Sequence, residues 1–355
     1  MSGGVDSSVA AALLVEAGYR VIGVTLRVWP WEEAKDPTRR FGSCCSPETV
    51  DDARRVARQL GIPYYLLNSE KEFDSTVIVD FTQEYLRART PTPCVVCNRS
   101  VKFGSLLQRA RAWEATAVAT GHYARLGRDV TTGRMCLFKG RDSRKDQSYF
   151  LWPLTQSQLE GSRFPVGGMS KEEVREKARA LGFAVADKHE SQEICFIPDD
   201  DYRGFLRRRA PQAFSPGPIL DSGGKVLGHH QGLANFTIGQ RKGLGLSLGK
   251  PLYVVALDPR RNAVVVGEEV DLEASRLLAT RVNFIPFERL TAPLRVEVKI
   301  RSSHSGAAAT LYPEDNGTLE VRFESPQRAV TPGQSVVFYQ GEHVVGGGLI
   351  ASPGV

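Results

Sequence analysis

The chain has 355 residues, of which 41% are hydrophobic and 24% charged, with a formal net charge of +6 and a pI near 9.0. That balance fits two or three soluble globular domains and favours a polyanionic partner over an acidic surface role. No run of eighteen apolar residues spans a membrane, the start does not read as a signal peptide, and the expectation is a cytoplasmic protein whose six cysteines serve chemistry, metal binding or burial.

The first stretch, Met1-Ser-Gly-Gly-Val-Asp-Ser-Ser8, runs into a helical pattern that ends at Gly18. Two adjacent glycines let an anion approach the backbone, and the helix behind them aims unpaired N–H groups and its positive dipole end at the same spot. Ser2, Gly3, Gly4, Val5, Asp6 and Ser7 are therefore candidate polyphosphate ligands, with Asp6 placed to hold Mg2+. The plainer alternative is a Gly-Ser turn that caps a helix. A loop of this kind should follow a buried strand, so Met1 is expected to be an internal methionine of a longer sequence.

Residues 19–27 form a short β-branched apolar run and read as a strand. Residues 47–60 read as an amphipathic helix stopped by Gly61, 62–67 as a strand, 72–88 and 101–113 as helices, and 116–120 as a strand ending in Gly121-His122. Alternation of this length predicts an α/β fold with a doubly wound parallel sheet, whose ligands bind at the carboxyl ends of the strands. Leu26 and Gly121 lie at such ends and should face the loop at residues 2–8. Ser170-Lys-Glu-Glu173 is a capping box that opens a helix to about Leu181, with Gly182 as its stop. A small domain begins near residue 205, and beyond Pro293 alternating residues such as 294–300 predict the hairpins of a small β-barrel. The expected domains are 1–204, 205–275 and 276–355.

Two thiol-bearing segments stand out. In Cys94-Val-Val-Cys97, Pro91 and Pro93 bar regular helix and present the thiols at a fixed place near the start of the next helix. A free thiol is roughly 3% thiolate at pH 7, and a helix start with Arg99 and Lys102 nearby raises that fraction. Buried structural cysteines, or a zinc site built from Cys44, Cys45, Cys94 and Cys97, are the competing readings. Cys195 lies among apolar neighbours, which also suits a small buried hydrophobe.

The loop resembles that of ATP pyrophosphatases, which cleave ATP between its α and β phosphates. Together with Thr92-Pro-Cys-Val-Val-Cys-Asn98, Gly121-His-Tyr-Ala-Arg125, Lys145-Asp-Gln-Ser-Tyr-Phe-Leu151, Ser191-Gln-Glu-Ile-Cys-Phe196 and residues 237–245, it makes the whole chain resemble the tRNA-specific 2-thiouridylase family. The resemblance implies ATP-dependent adenylation of the wobble uridine, position 34, of the tRNAs for Lys, Glu and Gln. Sulfur transfer from a cysteine persulfide then gives 2-thiouridine, AMP and pyrophosphate.

It further implies that Cys195 carries the persulfide and that Cys97 assists it, freeing the terminal sulfur or closing a transient Cys97–Cys195 disulfide. ATP would be bound by residues 2–7, Leu26 and Gly121, the target base by Thr92, Pro93 and Cys94, and tRNA by His122, Lys145, Asp146, Gln147, Arg301, Ser302 and Gln334. A persulfide donor, either a cysteine desulfurase or a sulfur-relay protein, is the implied partner. The family loop often reads Asn-Pro-Asp where this chain has Thr92-Pro93-Cys94, and Arg-Tyr where it has Arg301-Ser302. The first departure opens a variant in which Cys94, Cys97 and Cys195 hold an iron-sulfur cluster. The charges at Arg203, Arg207, Arg208, Arg209, Arg241 and Lys242 suit phosphates or plain solvent. Rival functions are a ligase that adenylates a small metabolite and a non-catalytic RNA-binding scaffold.

Overall fold

The computed structural model describes residues 1–30, 46–188, 194–197, 200–246, 249–314 and 317–354. The chain divides into two compact units: Met1–Val77 with Cys94–Asp201 and Glu342–Val344, and Ile78–Pro93 with Tyr202–Gly341 and Val345–Val355.

In the first unit, α1 (Val5–Glu16) is apolar on almost every side and correspondingly buried, which marks it as a core helix. β1 (Gly23–Arg27) pairs in parallel with β2 (Tyr64–Asn68), in register from Gly23 opposite Tyr64 to Arg27 opposite Asn68. The first strand is shorter than the 19–27 expected because Tyr19 and Ile22 are exposed and lie outside the ladder. Between the two strands, α2 (Pro47–Gln59) is capped by Ser46, whose Oγ accepts from Thr49 N, with Pro47 opening the first turn. α3 (Glu70–Phe73), a π-helical stretch Asp74–Ile78 and α4 (Val79–Leu86), the last of which belongs to the second unit, run on without a break, close to the expected 72–88.

The expected stiff loop around Pro93 is instead the start of a helix. Proline at a first helical turn loses no hydrogen bond, so α5 (Pro93–Val96) begins there, passes into a π-helical stretch Cys97–Ser105 and continues as α6 (Leu106–Ala112). β3 (Val118–Ala119) pairs in parallel with β6 (Ser162–Arg163), and β4 (Ala124–Arg128) forms with β5 (Met135–Lys139) an antiparallel hairpin that sequence alone did not reveal. α7 (Gln156–Glu160) carries a capping box from Thr155 and Gln158. The predicted box at Ser170 and Glu173 opens α8 (Lys171–Ala180), and Gly182 beyond its end has φ +68°. Val174 and Ala178 of α8, with Phe183, Val185 and Ala186 just after it, pack with Val5, Val9 and Ala12 of α1 in one core.

In the second unit, Phe81 and Tyr85 of α4 meet Phe205 and Tyr202 of α9 (Tyr202–Arg209), with the two tyrosine rings stacked 5.4 Å apart. β7 (Gly217–Leu220), β8 (Val226–His230), β9 (Tyr253–Asp258) and β10 (Ala263–Gly267) make a four-stranded sheet in the order β8-β7-β10-β9. β11 (Glu273–Phe284), β12 (Leu294–Lys299), β13 (Ala307–Pro313), β14 (Leu319–Arg328), β15 (Ser335–Gln340) and β16 (His343–Gly354) come next. They form a six-stranded barrel, closed because β11 pairs with both β14 and β16. The alternation seen at 294–300 puts Val296 and Val298 inside, against Leu277, Leu311, Val321 and Phe338. Among the described residues no helix is long and apolar enough to cross a membrane.

Candidate functional site

Gly3 is left-handed at φ +66°, and a Cβ there would stand 2.1 Å from Thr49 O, so its bare α-carbon serves the close approach of α2. Gly4 has open space, with Ser2 Oγ at 3.7 Å as the nearest neighbour of a built Cβ. The two glycines therefore have different tasks, and Gly4 is the one that leaves room for a ligand. Gly4 is also the N-cap of α1 and supplies no side-chain cap, which leaves the first N–H groups of the helix for an anion. Ser7 Oγ donates to Gly4 O at 3.1 Å and accepts from Ser2 N at 3.1 Å, so the serines fix the turn.

The two predicted strand ends come to this loop. Thr25, just before Leu26, donates its hydroxyl to Met1 O at 2.6 Å. A Cβ on Gly121 would meet Asp6 C and Ser7 N at 2.7 Å, so only glycine lets the 120–123 segment lie against the loop. Asp6 Oδ1 accepts from Tyr123 Oη and from Lys171 Nζ, each at 2.7 Å. Lys188 Nζ donates to Gly3 O at 3.3 Å and to Asp52 Oδ2 at 2.6 Å. Burial works to raise the Asp52 carboxyl, but its hydrogen bonds to Lys188 and Arg55 prevail and hold it below the usual carboxylate range.

The helix that carries Cys97 is tied to the same segment. Phe103, within the π-helical stretch, packs on the His122 ring at 6.0 Å, and Phe164 closes on that ring edge-on at 5.9 Å. Asn98, 1% exposed, donates Nδ2 to Phe150 O at 3.1 Å, which links two of the sequence motifs. The first helical turn belongs to Cys94, which is exposed, while Cys97 is half-buried one turn further on. Both thiols thus lie near the start of the helix, as expected, with Cys94 the nearer to its first turn. Cys195 is half-buried in a turn anchored by its neighbour Phe196, whose ring meets Phe73 edge-on at 5.6 Å. Cys136 is buried, and burial first, with Asp129 second, pushes its thiol up.

Cys44, Cys45 and residues 191–193 of the Cys195 motif lie outside the described residues, so the four-cysteine zinc reading does too. Among the described residues no three His, Cys, Asp or Glu side chains are gathered to hold a metal ion, and Cys94, Cys97 and Cys195 are therefore not drawn to one point.

Several residues expected at the tRNA also make contacts within the protein. Burial, assisted by Lys102, keeps His122 neutral well below the usual imidazole value, and its Nδ1 pairs with Thr120 Oγ1 at 2.7 Å. Asp146 accepts from Gly140 N and Ser148 N, and Gln147 Oε1 accepts from Tyr123 N at 3.0 Å. Lys145 is half-buried, with its N–H on Asp142 O. In the second unit, Gln334 spends its amide on Thr90 O at 2.9 Å and Pro91 O at 3.4 Å, while Thr90 N donates to Pro332 O. Thr92 lies just beyond, half-buried, with its Oγ1 buried and unpaired. Arg301 reaches Arg328 O at 3.4 Å, and Ser302 is exposed beside it. Arg207, Arg208, Arg209, Arg241 and Lys242 are exposed.

Sequence reasoning missed Lys171, Lys188 and Tyr123. One signal was available for Lys171: it holds the first helical position after the cap, where the dipole disfavours a cation. A lysine there calls for an acidic partner from elsewhere in the fold.

Family models described as a tRNA methyl transferase HUP domain, a tRNA methyl transferase PRC-barrel domain and an aminomethyltransferase beta-barrel domain match residues 1–199, 203–268 and 274–350 of this chain. The tRNA-specific 2-thiouridylase MnmA of Heliobacterium modesticaldum is 54% identical over 99% of this chain and 91% of its own length. That of Moorella thermoacetica is 55% identical over 99% and 98%. Among solved structures, the U34-tRNA thiolase NcsA from Methanococcus maripaludis aligns with 18% identity and a TM-score of 0.34, covering 59% of this chain and 65% of that one. A likeness that distant carries no argument about this chain.

Proposed function

We infer function from the premise that this chain belongs to the tRNA-specific 2-thiouridylase family. It is a tRNA sulfurtransferase, and its substrate site is the wobble uridine of the tRNAs for Lys, Glu and Gln. The observation that carries this reading is full-length identity of 54 and 55% to proteins of that name. The three segments 1–204, 205–275 and 276–355 then serve as the catalytic domain, a central domain and a barrel. Neither a metabolite ligase nor a scaffold accounts for likeness across all three.

In the reaction, ATP lies on residues 2–7 with its phosphates over Gly4 and the open N–H groups of α1. Leu26 and Gly121 border the nucleotide. The uridine O2 attacks the α-phosphorus, the α–β bridging bond breaks, and pyrophosphate leaves. The poor oxygen leaving group has become AMP. The terminal sulfur of a Cys195 persulfide then attacks C2, and the C2–O bond breaks as AMP departs. Attack by the Cys97 thiolate on the Cys195 sulfur leaves the transferred sulfur on C2 and closes a Cys97–Cys195 disulfide; an external dithiol reductant restores both thiols. Alternatively, Cys97 attacks first and frees hydrosulfide, which adds to C2. Mg2+ suits one carboxylate plus phosphate oxygens, so Asp6 would hold it, and the ion would offset charge on the phosphates. The exposed arginines of α9 supply phosphate contacts for tRNA.

Purified protein incubated with unmodified tRNA, ATP and a cysteine desulfurase charged with cysteine should release pyrophosphate and form 2-thiouridine, read by nucleoside mass spectrometry. Pyrophosphate release that depends on a small metabolite, or release absent under all conditions, overturns the reading.

A further inference from the structure

The segment that runs through α8 grips the loop at both of its ends. Lys171, at the first turn of α8, is 5% exposed and sets its ammonium on Asp6. Lys188, eight residues past the end of α8, sets its ammonium between the Asp52 carboxylate at 2.6 Å and the carbonyl of Gly3 at 3.3 Å. Between them Val174, Ala178, Phe183, Val185 and Ala186 are packed against α1, so the backbone that carries both lysines is fixed beside the loop.

The placement of Lys171 is costly in isolation. A cation at a helix start opposes the dipole, and a buried ammonium must recover its lost hydration. The fold nevertheless secures it twice. Asp142 accepts Lys171 N at 3.1 Å and Arg144 N at 3.0 Å; burial works against its charge, but these N–H donors prevail and hold it below the usual carboxylate range. Neutralising Asp6 alone would not require this, because apolar residues in place of both charges would be at least as stable. A ligand that brings several negative charges to the same loop does require it. α1 offers N–H donors but only a partial positive charge, and a polyphosphate needs full cations beside it.

We propose that Lys171 and Lys188 are binding residues for the pyrophosphate end of ATP, held to the loop by the α8 segment. This rests on the ATP-dependent reading above and assigns the residues that discriminate phosphates beyond the first. On binding, the Lys171 ammonium shares its contacts between Asp6 and a phosphate oxygen, and the Lys188 ammonium exchanges the Gly3 carbonyl for a phosphate oxygen while it keeps Asp52.

The test is calorimetric titration of the full chain and of Lys171→Gln, Lys171→Arg and Lys188→Gln with pyrophosphate, AMP and a non-hydrolysable ATP analogue. Melting curves without ligand check that each variant is folded. Each Gln variant should bind pyrophosphate and the analogue about tenfold or more weakly, as expected for one lost charge-assisted contact, with AMP changed by less than about twofold. Lys171→Arg should recover part of the pyrophosphate affinity. Unchanged pyrophosphate affinity in both Gln variants, or equal losses for AMP and pyrophosphate, overturns the assignment while ATP binding by the parent protein stands. Failure of the parent protein to bind the analogue overturns this assignment together with the reading beneath it.

Discussion

The glycine loop at residues 2–8 and the two thiol segments are held in different ways. The loop is fixed by backbone proximity from several directions: Thr49 against Gly3, the 120–123 segment against Asp6 and Ser7, and two lysines on its polar atoms. Cys97 and Cys195 are instead held through their neighbours, Asn98 on Phe150 and Phe196 on Phe73. The contrast fits the function proposed above, in which a polyphosphate site gains affinity from donors fixed before the ligand arrives and a sulfur atom is loaded, attacked and reset.

The largest effect should fall on the thiols. Cys97→Ser and Cys195→Ser should each reduce 2-thiouridine formation to background while tRNA affinity, measured by filter binding, stays within about twofold. Thiolation retained in either variant would show that the sulfur is carried elsewhere.

The loop should respond to geometry rather than to side-chain chemistry. Gly3→Ala must displace the Thr49 carbonyl and hold a left-handed alanine, at a cost of about 1–3 kcal/mol, with pyrophosphate release falling at least about tenfold. Gly4→Ala meets no atom closer than 3.7 Å in the free protein and should leave the melting temperature nearly unchanged. If it does so and still weakens ATP binding, the two glycines are separated by task.

Gln334→Ala should cost about 1 kcal/mol for each hydrogen bond lost to Thr90 and Pro91, read by denaturant unfolding. A tenfold loss of tRNA affinity at unchanged stability would instead make Gln334 a direct tRNA contact.

The smallest effect concerns pH. Because His122 is held neutral well below its ordinary value of 6.5, the unfolded chain binds a proton that the folded one refuses. Stability should therefore be complete above about pH 6.5 and decline as pH falls towards the folded value. Urea titrations at pH 7 and pH 5.5 should show a smaller loss in His122→Phe than in the parent protein.

Much of this was legible in order along the chain. Residues 2–8, the capping box at Ser170 and Glu173, and the alternation at 294–300 each specify local structure through backbone rules that need no partner. Pro93 was legible but ambiguous, since proline both breaks helices and begins them, and only the residues after it decide between the two. The hairpin at 124–139 was missed because its strands are short and interrupted by Gly127. For His122 and Gln334 the motif does not say which groups of the protein they meet; tertiary structure puts the Thr120 hydroxyl beside the first and the Thr90 and Pro91 carbonyls beside the second.

The sequence by itself determined the glycine turn, the order of most helices and strands and the barrel's inward positions, all of which depend on residues within a few positions of one another. Tertiary structure alone decided that Lys171 meets Asp6 across 165 positions, that Lys188 reaches Gly3, and that Gly121 lies on the loop. The physical reason is that a charge or a missing Cβ has no meaning until its neighbour is known, and those neighbours are brought together by packing that no local pattern encodes.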